Sequence, residues 1–98
     1  MVKKIVWSLR ARNDRKDIFK YWNQRNKSKL YSIKLNILFK EGLKIVARHP
    51  NIGKKTDQEN IRIKIVRDYF IIYEDTETEI HVLTIWSSHR NPADLKFL

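Results

Sequence analysis

Three apolar runs near the C-terminus limit the fold more than any other feature of this chain. Ile61 to Val66 alternates isoleucine with arginine and lysine before ending Ile65-Val66. Tyr69 to Glu74 and Ile80 to Trp86 follow, each long enough for a strand and too short for a helix, with brief polar breaks between them. Such spacing predicts consecutive antiparallel strands. Arg67-Asp68 falls where a two-residue turn would join the first pair, and Asp75 to Thr78 makes the next turn. Strand side chains alternate between faces, so the first run is expected to put its isoleucines in the core and Arg62 and Lys64 on the solvent side. The last run leads straight into Ser87-Ser88-His89-Arg90-Asn91-Pro92. Cations on a sheet that ends in His-Arg-Asn-Pro suit an anion or a charged partner.

The N-terminal half reads as helices. Ile5-Val6-Trp7 is a short strand, and Ser8 is a suitable cap for a helix running to about Arg25. Ala11, Ile18, Tyr21, Trp22 and Arg25 keep near-helical spacing along it. Ser28 is then expected to cap a second helix that ends near His49, because Pro50 cannot continue it. Tyr31, Leu35, Leu38, Phe39, Gly42 and Val46 form its apolar stripe, which Leu30, Ile33 and Ile37 are expected to widen. The short break between the two predicts an antiparallel hairpin. Asn51 to Asn60 reads as a polar loop carrying a solvated Lys54-Lys55 pair. The expected fold is α+β in the order β-α-α-β-β-β. The helix hairpin packs on one face of a small, twisted, mainly antiparallel sheet, and residues 1–98 form one domain. Where the first strand joins the sheet is not readable from the pattern.

Composition narrows the function. The chain has 98 residues, no cysteine and a formal charge of +10. Residues 1–56 hold sixteen lysines and arginines against three acids, whereas residues 57–98 hold five against eight. A field of that sign favours nucleic acid or an acidic protein as partner and accelerates association with either. His49, His81 and His89 lack ligand-like spacing, so neither a metal nor a cofactor is expected. No run approaches the length of a membrane span or a signal peptide, and a cytoplasmic protein with no membrane partner is expected. Trp7, Trp22 and Trp86 lie in apolar patterns and are expected in the core.

The residues together resemble the RelE/ParE toxin superfamily. The resemblance lies in Ile5-Val6-Trp7-Ser8 with Ala11 and Asp17-Ile18, in Tyr21-Trp22, and in His49-Pro50 with Ile52-Gly53-Lys54. It continues through Ile61-Arg62, Asp68 to Glu74, and Ile85-Trp86 with Arg90-Asn91-Pro92. It implies the toxin of a type II toxin–antitoxin module, bound by a small antitoxin that wraps it across the helix hairpin and along the sheet. Operator DNA would be met only through that antitoxin, and a homodimer or a toxin–antitoxin hetero-oligomer is implied. RelE-like members cleave messenger RNA on the ribosome without a metal; ParE-like members act on DNA gyrase. For the nuclease, Arg62, Lys64 and Arg90 would hold phosphate and His89 would serve as acid or base. That branch usually has an arginine where this chain has Phe70, and a neutral ring cannot stabilise a developing phosphorane. The Trp86 to Pro92 ending resembles the ParE-like branch, which is therefore favoured. Arg62, Lys64, Arg67, His89, Arg90 and Asn91 are then the expected target contacts. A degenerate member serving only as an antitoxin-binding corepressor is the third reading.

Overall fold

The computed structural model describes residues 2–89. Strand β1 is Lys4–Trp7, helix α1 Leu9–Asn26 and helix α2 Leu30–Arg48. A 3-10 turn at Pro50–Ile52 leads to β2, Lys54–Lys55, and then β3 (Ile61–Val66), β4 (Tyr69–Asp75) and β5 (Glu79–Ser87) complete the sheet. The strand order is β1-β5-β4-β3-β2. Every pairing is antiparallel except that of β1, which runs parallel to β5 at the edge. Lys54–Lys55 is thus not a loop but a short edge strand, with Lys54 opposite Ile63 and Lys55 opposite Arg62.

Local chemistry accounts for the helix ends. Ser8 caps α1, its hydroxyl accepting from the Ala11 amide at 3.0 Å and donating to the Leu83 carbonyl at 2.9 Å. Lys27 closes α1 in the left-handed region, φ 51°, with its amide on the Asn23 carbonyl. Ser28 is not the cap expected of it and stands one residue before the observed cap position: α2 begins at Leu30 behind Lys29, which makes no side-chain cap, while the Ser28 hydroxyl accepts from the Leu30 amide at 3.2 Å. Ser32 locks the hairpin by donating to Asn23 Oδ1 at 2.6 Å.

The main core lies between sheet and hairpin. Ala11, Leu35, Phe39 and Leu43 pack on Val66, Tyr69, Ile71, Val82 and Ile85, all nearly excluded from solvent. A methyl at Gly42 would come within 3.0 Å of Val66 Cγ2, so the missing side chain lets α2 lie close on β3. Register places Lys64 opposite Ile71 and Arg62 opposite Tyr73, on this helix-facing side. The expectation that Arg62 and Lys64 occupy the solvent side is therefore reversed. Alternation shows that the two sides of β3 differ, but not which one the helices cover.

Ile61 and Ile63 lie on the other side, in a second apolar cluster with Ile72 and Trp86 against Phe70 and Leu83. No helix residue belongs to that cluster, yet Ile63 is only 3% exposed. Strand β4 is consequently apolar on both faces, as its unbroken run Tyr69 to Tyr73 requires. Two further expectations change. Leu30, Ile33 and Ile37 do not widen the buried stripe of α2 but are exposed, as is Tyr21 on α1. Of the three tryptophans only Trp86 is buried. Trp7 and Trp22 sit at the core margin, with the Arg15 guanidinium 4.3 Å above the Trp7 ring.

Candidate functional site

Helix α1 outruns β1 and covers the exposed edge of β5. The β1 ladder continues through the Ser8 amide to the Val82 carbonyl, and the chain then turns away into the helix. From the second turn of α1, Asp14 supplies what the missing strand would: its Oδ2 accepts from the Ile85 amide at 3.1 Å and from the Thr84 hydroxyl. An unpaired edge amide is thereby satisfied by a carboxylate. Two helical turns further on, Trp22 Nε1 donates to the Tyr69 hydroxyl at 2.8 Å. Burial raises the Tyr69 pKa above the usual tyrosine value, an effect the Trp22 hydrogen bond opposes.

Between these anchors opens a cleft of about 550 Å³, whose lining includes Trp22, Tyr69 and Ile85 together with Asp14, Asp17 and Asp68. Arg25 and His89 also line it. Two of the three acids in residues 1–56 line this one cleft. Arg25 is itself engaged, reaching the Tyr21 hydroxyl at 3.4 Å and lying 5.9 Å from the Trp22 ring centroid. A cleft of this kind receives a cation or a neutral polar group more readily than a phosphodiester.

The expected site residues divide between two places. His89 is exposed at the end of β5, its amide on Ser87 Oγ at 3.3 Å. Arg67 occupies the β3–β4 turn with φ 55°, exposed beside Asp68, whose carbonyl accepts from the Ser88 amide at 2.8 Å. Both therefore belong to one end of the sheet. Arg62 belongs to the other. Four residues down β3 and two strands away, its backbone is roughly 16 Å from that of Ser87, at about 3.3 Å per residue and 4.8 Å per strand.

Arg62 is also committed. Its Nη1 donates to the carbonyls of Gly53 at 2.9 Å and Asn51 at 3.2 Å. Tyr73 clamps the same loop from below, donating to the Pro50 carbonyl at 2.7 Å and accepting from the Gly53 amide at 3.0 Å. Burial pushes the Tyr73 pKa up, with the Gly53 amide and the Arg62 charge opposing. Lys64 runs along α2, its aliphatic carbons 3.7 and 3.9 Å from where a Gly42 methyl would sit. Arg62 thus ties the chain at Asn51 and Gly53 to the sheet, away from His89, while the aliphatic part of Lys64 packs on α2 at Gly42. Arg90 and Asn91 lie outside the described residues.

Sequence reasoning did not find the cleft acids. Asp14 and Asp17 had a faint signal, as the lone acids among nine cations on and around α1, but nothing in the sequence announces that a helix will stand in for a strand. Among the described residues, no group of three or more histidine, aspartate and glutamate side chains is placed to hold a metal. None of their helices is long and apolar enough to cross a membrane.

Comparison with known proteins agrees with this architecture. The fold matches a solved structure of the chromosomal ParDE TA system from P. aeruginosa with a TM-score of 0.72. The match covers 88% of this chain and 96% of that one at 16% sequence identity, a likeness of fold. No curated protein matches the chain. The family model of the ParE toxin of type II toxin–antitoxin systems, parDE, matches residues 5–92. That span takes in both helices and the whole sheet except Lys4 at the start of β1, and the chain accordingly belongs to the ParE toxin family.

Proposed function

We propose that this chain is a growth inhibitor that acts on DNA gyrase in the cytoplasm and is neutralised by a cognate antitoxin, without cleaving RNA itself. The observation that carries this reading is the separation of the catalytic candidates. Metal-independent RNA cleavage needs an acid, a base and cations converging on one phosphate. His89 lines the same cleft as Asp14, Asp17 and Asp68, while Arg62 is spent on the Gly53 and Asn51 carbonyls at the far end of the sheet. Phe70 lies on the helix-free face, opposite Trp86, and offers no charge to either end. A protein surface is a better match than a scissile phosphodiester for such an arrangement. Target contact is assigned to the sheet end where Arg67 and His89 stand; Arg90 and Asn91, expected contacts as well, lie outside the described residues. The positive field of residues 1–56 suits an acidic antitoxin and speeds its capture.

The test is controlled expression in bacteria without the antitoxin, read for RNA integrity and DNA breaks together. The expected result is growth arrest with DNA damage and intact full-length messages, and His89→Ala leaves the messages intact as well. Rapid loss of transcripts on induction, abolished by His89→Ala, would establish the nuclease instead. Survival of cells holding folded protein would leave only the corepressor role.

A further inference from the structure

The side of the sheet away from the helices excludes water, although every side chain of its apolar cluster comes from β3, β4 or β5. Ile63 is 3% exposed, Ile72 0% and Trp86 7%. A sheet face left to solvent normally carries polar side chains, and a broad apolar one is normally covered. Ile65 shows the difference within one strand. Two residues beyond Ile63, and so on the same side of β3, it is 55% exposed. The middle of the face is therefore covered, and the cover stops short of Ile65. These exposures belong to a single chain, so a second copy is not what keeps the water out.

The sequence after β5 fits that cover. Ala93, Leu95 and Phe97 alternate with Asp94 and Lys96, so the segment can turn apolar side chains one way and charges the other. Its reach suffices. Trp86 stands level with Phe70, and Phe70 with Ile65. Ile63 is thus two strands across from Trp86 and two residues along, roughly 12 Å away at about 4.8 Å per strand and 3.3 Å per residue. The eight residues from His89 to Phe97 span about 26 Å when extended. We infer that the helix-free face of the sheet is the docking surface for the chain's own residues 93–98, with Leu95 and Phe97 as the anchors over Ile63, Ile72 and Trp86. A face so occupied is closed to any target or partner.

The chain has no cysteine, so one introduced thiol carries a label at a single place. Lys96→Cys puts it on the charged side of the alternation, where no anchor is lost. With a nitroxide attached there to the full chain, the amide NMR signals of Ile63 and Ile72 are expected to broaden strongly. Those of Ile33 and Ile37, exposed on α2 beyond both sheet and helix, stay sharp. A mixture of nitroxide-bearing chain with isotope-labelled chain lacking the nitroxide is expected to show no broadening. Even broadening throughout, or none at Ile63 and Ile72, overturns the inference. So does broadening that persists in the mixture, which would assign the face to a second copy. Separately, Leu95→Asp with Phe97→Asp is expected to shift tryptophan emission to the red, as Trp86 is wetted, and to lower Tm by about 5 °C or more. Asp94→Ala with Lys96→Ala, on the other side of the alternation, leaves both unchanged. An aspartate variant that keeps the parent's emission and Tm, or that the alanine variant matches, refutes the docking. The label measurement keeps both anchors and so decides the question if the aspartate variant does not fold. Neither readout depends on toxicity: a chain whose segment docks as described yet fails to arrest growth removes the proposed function and leaves the docking standing.

Discussion

Gly53→Ala isolates the device that holds β2 and the preceding turn in place. Gly53 has φ −70° and ψ 157°, a conformation alanine adopts freely. On backbone grounds alone alanine would even stabilise by about 0.4–1 kcal/mol, by restricting the unfolded chain. Space is what forbids it. A methyl here would meet Cε1 and Cζ of the buried Tyr73 ring at 2.8 and 2.9 Å and would collide with its hydroxyl. Tyr73 cannot give way without losing its bonds to the Gly53 amide and the Pro50 carbonyl. Overpacking of this kind costs about 1–3 kcal/mol, and the two hydrogen bonds add about 1 kcal/mol each if both break. Net of the entropic gain, a loss of about 2–4 kcal/mol is expected, a large share of a small domain's stability. At about 4–8 °C per kcal/mol, Tm falls by about 10–30 °C. Reversible thermal or denaturant unfolding measures this directly. Because the clash is with one ring, Gly53→Ala should cost at least about 1 kcal/mol less in a Tyr73→Phe background, where the hydroxyl is gone. A single-mutant change below about 0.5 kcal/mol, or strict additivity with Tyr73→Phe, would refute the clamp.

Two further outcomes are expected from the same geometry. Asp14→Ala leaves the Ile85 amide and the Thr84 hydroxyl without their acceptor and should cost about 1–3 kcal/mol, whereas Asp14→Asn keeps an accepting oxygen and costs less; equal losses in chemical denaturation would contradict the edge-cap role. Stability should also fall in strong alkali. Tyr69 and Tyr73 have folded pKa values raised by burial, so the neutral phenols favour the fold fully below the unfolded value near ~10, and that contribution is lost as pH rises through the folded values. Unfolding free energies measured from pH 8 upward should bend down above about 10, less steeply in Tyr69→Phe and Tyr73→Phe; an unchanged slope in both variants would dismiss the effect.

The elements themselves were legible because their signals are local. Ser8 before an amphipathic run, Pro50 after one, and three short apolar segments with breaks of two and five residues state helix, helix and strands without reference to anything distant. The Arg67-Asp68 turn formed as read, with Arg67 taking the positive φ that a tight turn demands. The family resemblance was legible for the same reason, since it lies in the order of those segments from Ile5 to Pro92.

Sidedness was not legible, because a period of two or of 3.6 marks a face without saying what will lie against it. Ile61 and Ile63 looked like the inner side of β3 and are the side away from the helices; Leu30, Ile33 and Ile37 looked like more core and face solvent. The parallel seat of β1 beside β5 and the use of Asp14 as a substitute strand partner depend on contacts some seventy residues apart in sequence. The separation of Arg62 from His89 depends likewise on register across two strands. Periodicity along the chain determined which elements this protein has. Packing between distant elements alone decided which of their charges meet, and that is why Asp14, Asp17 and Asp68 share a cleft with His89 while Arg62 lies at the other end of the sheet.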